Sequence, residues 1–181
     1  MIYTRNYGSP IGNLLLAESE GQLIGLWLQG QKYYKGSLRE EMQDREDSEI
    51  LCQTGRWLDR YFAGEQPLIS ELNLAPRGSQ FRQEVWKRLC EIPSGEVTTY
   101  GMIARELAKR FGVSRMSAQA VGGAVAHNPI SIIIPCHRVV GTQGSLTGYA
   151  GGIDKKIWLL QQEGVDLRHF YIPKKRDRAV S

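Results

Sequence analysis

Residues 99–129 read TYGMIARELAKRFGVSRMSAQAVGGAVAHNP, and the architecture of the second half of the chain follows from them. Thr99 is a suitable N-cap for a helix. Behind it, apolar residues recur every fourth position, which places them on one helical face: Ile103, Leu107 and Phe111. The first part of the stretch therefore predicts an amphipathic helix that ends at Gly112.

The rest of the stretch predicts a second helix, built almost entirely from small residues. Ser114 is a suitable cap for it, and Asn128-Pro129 ends it. Two short, tightly joined helices are typical of a helix-turn-helix. The pair Gly122-Gly123 is costly inside a helix. Either another molecule approaches the helix backbone closely there, or a neighbouring helix packs tightly against it.

Helices are also predicted on both sides of this pair. Ser79 can cap a helix that ends before Pro93 and has an apolar face of Phe81, Val85, Trp86 and Leu89. Near the end, Asp154 is a suitable N-cap for a helix that reaches Glu163. That helix is expected to bury Ile157, Trp158 and Leu160, and Gly164 takes its C′ position.

The first part of the chain has a different pattern. Asn13–Ala17 and Leu23–Leu28 are apolar runs separated by a polar turn, which predicts a β-hairpin. The polar residues 29–47 predict a mobile connection, and a helix is expected over 49–62. A further short strand is expected at Leu72–Leu74.

Breaks in the pattern divide the chain into three parts. The run Pro76-Arg77-Gly78-Ser79 indicates a boundary, so residues 1–78 and 79–165 are predicted as two domains, followed by a basic tail, 166–181. Within that tail, the segment 174–178 is expected to be disordered.

Charge differs between these parts. Residues 1–78 hold eight basic and eleven acidic residues, whereas 79–165 hold ten and six, and the tail holds five and two. A basic second half favours a polyanionic partner. The longest apolar runs are far too short to cross a membrane, and the N-terminus lacks the order of a secretion signal. We therefore expect a cytoplasmic protein without a membrane partner.

The chain has three cysteines and three histidines, and no pair of cysteines has Cys-x-x-Cys spacing. This distribution argues against a disulfide framework and against a structural metal site. Cys52 and Cys90 fall within amphipathic helical patterns and are interpreted as small core residues. Cys136 needs a separate explanation.

Cys136 follows the apolar run Ile132–Ile134, predicted as a buried strand, and lies in Pro135-Cys136-His137-Arg138. A cysteine attacks as the thiolate and needs a base or a positive field nearby. In an extended chain His137 points to the opposite face, so a bridging water is a better link than direct contact. A buried structural cysteine is the simpler alternative, but its polar neighbours and the glycine-rich stretch behind it weigh against that interpretation.

The segment Ile134-Pro135-Cys136-His137-Arg138-Val139 resembles the signature of the O6-alkylguanine-DNA alkyltransferases. The resemblance extends from about Ser79 to Gly164. Further matching segments follow in the family's order and spacing: Thr99-Tyr100, Ala120-Val121-Gly122-Gly123-Ala124, Asn128-Pro129, Gly148-Tyr149-Ala150-Gly151-Gly152, Trp158-Leu159-Leu160 and Glu163-Gly164. It implies an α/β (α+β) fold: a small ribonuclease-H-like sheet-plus-helix domain, then a mainly helical winged helix-turn-helix domain.

The resemblance also implies an activity: single, irreversible transfer of an alkyl group from O6-alkylguanine, and by extension O4-alkylthymine, to Cys136. It further implies that the helix-turn-helix binds in the minor groove of double-stranded DNA and that the damaged nucleotide is flipped out of the duplex. A monomer without cofactor or metal is expected. The implied catalytic residues are Cys136, His137, Glu163, Tyr100 and Asn128; the implied pocket residues are Val139, Tyr149 and Ala150; and the implied DNA contacts include Ala120, Gly122 and Gly123.

One position departs from the family pattern. The arginine that often fills the space of the flipped base is replaced by Gln119, which lacks the charge and the stacking plane. We expect weaker DNA binding through this residue, with Arg115 one turn earlier as a compensating cation. For Arg138 a phosphate contact and a structural ion pair both stay open. For His127 a phosphate contact and a solvent-facing position at the helix end are the alternatives.

Two other functions compete with repair. A cysteine hydrolase needs a second histidine facing Cys136, and only His127 and His169 remain for that role. A damage sensor that binds the lesion without chemistry is favoured where the cysteine is missing, but here it is present.

Overall fold

The computed structural model describes residues 1–174 and divides into two compact units. One unit comprises Met1–Gly78 with Asn128–Ile134, and the other comprises Ser79–His127 with the described residues 135–174. The segment 128–134 therefore belongs with the N-terminal unit, although it follows the helix-turn-helix in sequence.

The N-terminal unit is a four-stranded sheet with one long helix. Its strands are β1 (Ile2–Ser9), β2 (Gly12–Ser19), β3 (Gln22–Leu28) and β4 (Met42–Asp44), in the order β3-β2-β1-β4. Neighbours run antiparallel except β1 and β4, which are parallel. The predicted hairpin is confirmed as β2 and β3, and the predicted helix is confirmed as α1 (Glu49–Phe62). The small sheet-plus-helix domain that the resemblance implies is thus present in this unit.

Three expectations about this unit are wrong. The connection 29–47 contains β4, which completes the sheet edge. Leu72–Leu74 forms only a single bridge, from Leu74 to Leu23, behind a 3₁₀ turn at Ile69–Glu71. Ile132–Ile134 is buried but is not a strand, because Ile132 has a φ of 72° and Ile134 N donates to Ile130 O within a turn.

The second unit is mainly helical. Its helices are α2 (Gln80–Cys90), α3 (Tyr100–Phe111), α4 (Ala118–Ala126) and α5 (Ile153–Gln162), with a two-stranded parallel sheet of β5 (Thr98–Thr99) and β6 (Val139–Val140). The predicted caps Ser79 and Thr99 are confirmed, since each hydroxyl accepts a backbone N–H of the first turn. Helices α3 and α4 form the helix-turn-helix.

Two helix starts differ from the prediction. The cap of α4 is Ser117, whose hydroxyl accepts from Gln119 N and Ala120 N, and not Ser114. The cap position of α5 is Gly152, so Asp154 lies inside the first turn. The buried face of α5 also differs: it consists of Lys156, Leu159 and Leu160, whereas Ile157 and Trp158 are half-buried.

The segment after α5 is structured where it is described. Residues 165–171 pack within the second unit, although the sequence set 166–181 apart as a tail. Of the segment 174–178 expected to be disordered, 175–178 lie outside the described residues. No helix within residues 1–174 has the length and apolar character needed to cross a bilayer.

Candidate active site and DNA-binding face

Cys136 begins a single 3₁₀ turn, Cys136–Arg138, and only 5% of its surface is exposed. The expectation of an extended chain here is wrong, because Arg138 N donates to Pro135 O at 3.0 Å and closes the turn. The preceding turn is held by Asn128, whose Nδ2 donates to Ile134 O at 2.8 Å while its Oδ1 accepts from Ile130 N at 3.0 Å. Asn128 therefore holds the backbone from which Pro135 and Cys136 continue.

His137 and Arg138 both bind the carboxylate of Glu163. His137 Nε2 lies 2.7 Å from Glu163 Oε2, and Arg138 Nε donates to Oε1 at 2.7 Å. Arg138 also donates through Nη2 to Oε2 at 3.1 Å and through Nη1 to Ile92 O at 2.6 Å. The His137 side chain is 0% exposed and that of Glu163 is 2% exposed, so this is a buried network.

The charges in this network follow from its burial. Burial lowers the pKa of His137 against the opposing effect of Glu163, which keeps the imidazole neutral near pH 7. Burial alone would raise the pKa of Glu163, but His137 and Arg138 hold it well below its usual range. With His137 neutral, the Arg138 guanidinium is the charge that keeps Glu163 ionised. The carboxylate therefore accepts the Nε2 proton and leaves Nδ1 as the basic nitrogen.

The other ring nitrogen, His137 Nδ1, is buried and has no hydrogen-bond partner among the described residues. A buried polar atom of this kind requires an explanation, because leaving it unsatisfied is costly. Here Nδ1 belongs to the residue next to Cys136 and is basic in the tautomer that Glu163 selects. It is therefore positioned to receive a proton.

Three further polar side chains lie within electrostatic range of Cys136. Burial and the Cys136 thiolate together raise the pKa of both Tyr100 and Tyr149, while burial lowers the pKa of Lys156 to about 8 and Cys136 opposes that shift. Tyr100 reaches the site because β5 pairs with β6, which sets the start of α3 beside the residues that follow the cysteine.

The Tyr100 hydroxyl lies directly against the glycine-rich loop formed by residues 141–152. It donates to Thr147 O at 3.2 Å. Gly148 has a φ of +79°, and a Cβ there would lie 2.6 Å from Tyr100 Oη. Only glycine fits at this approach, so the glycine of the motif is explained by contact with Tyr100.

Lys156 is a buried cation near Cys136 that the motif residues do not include. Its side chain is 0% exposed, and Nζ donates to Val139 O at 2.5 Å and to Thr147 O at 2.8 Å. The sequence signal for this burial is its spacing, since it precedes Leu159 and Leu160 by three and four residues and so shares their buried face. A lysine in that position is unusual because burial of an ammonium is costly.

The expected pocket residues are in or near this cluster. Val139 is fully buried, and its carbonyl is tied to Lys156. Tyr149 is buried, and its hydroxyl has no hydrogen-bond partner among the described residues. Ala150 is half-buried directly after it.

A concave surface along the helix-turn-helix encloses a volume of about 1320 Å³ and includes Tyr100, Thr147 and Gly148. It is lined by exposed cations and by one side of α4, including Arg105, Lys109, Arg115, Gln119 and Gly122. Gln119, Arg115, Ala120 and Gly123 are all exposed. The surface thus combines positive charge with a helix of small residues.

The two glycines of α4 have different surroundings. A Cβ on Gly122 would meet the Tyr100 ring at 3.8 Å, so packing accounts for this glycine. A Cβ on Gly123 would meet no atom of the described residues within 4 Å. Packing among the described residues therefore does not explain this glycine.

The structure bears on the alternatives left open for Arg138 and His127. Arg138 is buried in its ion pair with Glu163 and the Ile92 carbonyl, so its guanidinium does not face the helix-turn-helix surface. His127 is half-buried at the end of α4, where Nδ1 lies 2.7 Å from Gly123 O. Both side chains make structural contacts within their own unit or helix. Over residues 1–174, no three His, Cys, Asp or Glu side chains are grouped in a way that could hold a metal ion.

Comparison with known proteins agrees with this geometry. Residues 80–165 match the family "6-O-methylguanine DNA methyltransferase, DNA binding domain", and residues 2–76 match its "ribonuclease-like domain". The methylated-DNA–protein-cysteine methyltransferase of Methanosarcina acetivorans is 44% identical over 168 residues, covering 90% of this chain and 99% of the relative. The corresponding protein of Haemophilus influenzae is 37% identical and covers 91% and 87%.

A solved structure, that of Mycobacterium tuberculosis OGT in complex with DNA, aligns with a TM-score of 0.76. It is 40% identical and covers 89% of this chain and 92% of its own. Together with the two family matches, which span most of the sequence, this result leaves one assignment: the chain belongs to the 6-O-methylguanine DNA methyltransferase family.

Proposed function

We propose that this protein repairs O6-alkylguanine in double-stranded DNA by moving the alkyl group onto Cys136. The Cys136 sulfur attacks the alkyl carbon, a sulfur–carbon bond forms, and the bond between that carbon and O6 of guanine breaks. The observation that carries the proposal is the buried Glu163–His137 pair beside Cys136, with its basic nitrogen unsatisfied by the described residues.

The proton of the thiol leaves through His137. Glu163 holds the Nε2 proton, so Nδ1 is the acceptor, and a water molecule bridges it to Cys136 Sγ. The imidazolium that forms is then stabilised by the Glu163 carboxylate and stabilises the thiolate in turn. Arg138 keeps Glu163 ionised and is a positioning residue in this scheme.

The guanine leaves as an anion unless it receives a proton. The Tyr100 hydroxyl is the donor near Cys136 that fits this role. The two groups interact electrostatically, because Cys136 adds to the effect of burial in raising the pKa of Tyr100. Lys156 contributes positive charge at the same place while it holds the carbonyls of Val139 and Thr147. Val139, Tyr149 and Ala150 line the pocket that receives the flipped base.

The helix-turn-helix supplies the DNA-binding surface. We place α4 in the minor groove, with Ala120, Gly122 and Gly123 at the closest approach and Gln119 at the space left by the flipped base. Arg115, together with Arg105 and Lys109, supplies phosphate contacts along the concave surface. Minor-groove proteins commonly bend the duplex while they unstack a step, which assists flipping.

Each molecule acts once. The product is a thioether, which water does not hydrolyse as it does an acyl-enzyme, so the cysteine is not regenerated. We place the protein in the cytoplasm, because a reducing compartment keeps the acceptor thiol free. All three cysteines lie within the described residues, and none forms a disulfide.

The test is mass spectrometry of peptides after mixing the protein with duplex DNA that contains O6-methylguanine. We expect one added methyl group on the peptide that holds Cys136, at no more than one per protein, and none in Cys136→Ala. Cys90→Ala, which alters a thiol whose pKa burial raises to about 11, is the matched control and should be methylated normally. Binding without modification would indicate a damage sensor, and repeated turnover on an ester or amide would indicate a hydrolase.

A further inference from the structure

The segment Val165–Tyr171, here called the strap, is tied to the glycine-rich wing, Gly141–Gly148. Two backbone hydrogen bonds join them: Leu146 N donates to Tyr171 O at 2.8 Å, and Tyr171 N donates to Gly144 O at 3.1 Å. Ser145 and Tyr171 form a parallel β-bridge. The strap therefore pairs with the wing through its backbone, as a neighbouring β-strand would, at this one position.

Apolar packing reinforces these hydrogen bonds. Leu167 and Phe170 of the strap pack, together with Val165, against the buried cluster of Val140, Leu146 and Leu160. Leu146 is only 3% exposed, although it lies in a loop whose residues Thr142, Gln143 and Gly148 are exposed. The strap thus supplies part of the apolar packing around Leu146, together with Val97, Ile153 and Ile157.

The backbone of the wing is shaped to accept the strap. Gly144 has a φ of +83°, and a Cβ there would lie 2.7 Å from His169 O. Any other residue at position 144 forces the two segments apart. The glycine is therefore explained by close contact with the strap.

The residue directly after Leu146 belongs to the active site. Thr147 O accepts from both Tyr100 Oη at 3.2 Å and Lys156 Nζ at 2.8 Å, and Gly148 contacts Tyr100 Oη. A displacement of Leu146 moves this carbonyl and both of its donors. The strap consequently acts on the reacting groups through one peptide unit.

We propose that the strap is a specificity-determining element of the alkyl transfer: by anchoring Leu146 it fixes Thr147 and Gly148 against Tyr100 and so limits the size of the alkyl group that reaches Cys136. Its residues are positioning residues, because they act through Leu146 and the backbone of the wing. This inference rests on the proposed function. A released wing leaves Tyr100 misaligned for a methyl group but opens space for a larger one.

The experiment compares two substitutions at one position. Tyr171→Pro removes the N–H that donates to Gly144 O, whereas Tyr171→Ala keeps the backbone and removes only a side chain that is 46% exposed. Single-turnover rates are measured with duplexes that contain O6-methylguanine or O6-benzylguanine. Phe170→Ala and the conservative Phe170→Leu form a second pair that tests the apolar contact.

For Tyr171→Pro and Phe170→Ala we expect a methyl-transfer rate reduced roughly ten- to a hundredfold, as for other small misplacements of reacting groups. We also expect a clearly higher ratio of benzyl to methyl rates. Tyr171→Ala and Phe170→Leu should retain most of the wild-type rate and its ratio. The ratio separates the proposal from a general loss of stability, which lowers both rates together.

An unchanged ratio of the two rates in both Tyr171→Pro and Phe170→Ala overturns the inference, whether or not the absolute rates fall. Wild-type protein serves as the reference for the proposed function itself. If wild type transfers no methyl group to Cys136, the proposed function fails; if wild type transfers normally and only the ratios stay constant, the strap proposal alone fails.

Discussion

His137 and Arg138 both bind the carboxylate of Glu163, but they have different roles. His137 must stay neutral to accept a proton, while Arg138 supplies a permanent charge beside it. A buried carboxylate bound only to a neutral imidazole would itself tend to take up a proton, because burial disfavours its charge. An arginine at position 138 therefore has a structural role: its buried guanidinium keeps Glu163 ionised and does not face the DNA-binding surface.

Replacing Arg138 by methionine tests this role. We expect the acidic limb of the pH–rate profile for methyl transfer to move to higher pH, because Arg138 lowers the pKa of His137 and that effect is lost. We also expect a loss of about 3–5 kcal/mol in the free energy of unfolding, typical of a broken buried ion pair. Arg110→Met, which removes an exposed pair with Glu91, is the control and should cost at most about 1 kcal/mol. An acidic limb that stays in place would contradict the role.

Lys156 offers a second test at the scale of one side chain. Lys156→Met keeps the aliphatic volume but releases the carbonyls of Val139 and Thr147 and removes a positive charge near Cys136. We expect a methyl-transfer rate reduced by roughly ten- to a hundredfold with duplex affinity unchanged. The neighbouring Lys155→Met, whose ammonium pairs with Asp154 at the surface, should react at the wild-type rate. Equal effects of the two substitutions would show that the buried position has no special role.

Among the elements, α4 carries the feature that departs from the family pattern. Gln119 is exposed in its first turn, beside the concave surface that holds Arg115. We expect Gln119→Arg to raise the affinity for damaged duplex about tenfold at low salt, since a guanidinium adds charge and a stacking plane. Titration of labelled duplex at two salt concentrations measures this. Gln83→Arg on α2 adds the same charge outside the concave surface and is the control; an equal gain there, or no gain at Gln119, would contradict the expectation.

The helix starts show where residues close in sequence are sufficient to predict an N-cap and where they are not. Thr99 and Ser79 were identified as caps because each is the polar residue directly before an amphipathic run. Before α4 two serines compete, and Ser117 is the cap because the first buried residue of that helix is Val121, while Met116 is only half-buried. Similarly, Ile132–Ile134 has the composition of a strand, but the chain turns there because Leu26 accepts from Ser131 and donates to Pro129. Tertiary hydrogen bonds outweighed local propensity in that segment.

At the scale of the whole molecule, the buried histidine makes stability depend on pH. Burial lowers the pKa of His137 in the folded protein, so between that value and the unfolded value near 6.5 the unfolded chain binds more protons. Stability should therefore fall as pH drops below about 6.5 and level off once the folded-state imidazole also titrates. The loss is about 1.4 kcal/mol for each unit by which the pKa is lowered.

Melting temperatures measured between pH 7.5 and 5 check this expectation. Wild type should lose stability over that range, and His137→Gln should show a shallower decline because the group responsible is gone. His169→Gln, which removes an exposed imidazole, should follow the wild-type curve. Parallel curves for wild type and His137→Gln would rule out the buried imidazole as the cause.

Spacing, caps and motif residues are local properties of the chain. They were therefore sufficient to predict the hairpin, α1 and the helix-turn-helix and to single out the cysteine. The folded structure was needed to show that Arg138 faces Glu163, that Lys156 bonds the Val139 carbonyl, and that Val165–Tyr171 contacts the wing. Those facts depend on which distant segments meet in one core. Burial, hydrogen-bond partners and the resulting pKa values are set there. The spacing of Lys156 from Leu159 and Leu160 indicates a shared buried face, but it does not show which carbonyl groups the ammonium meets.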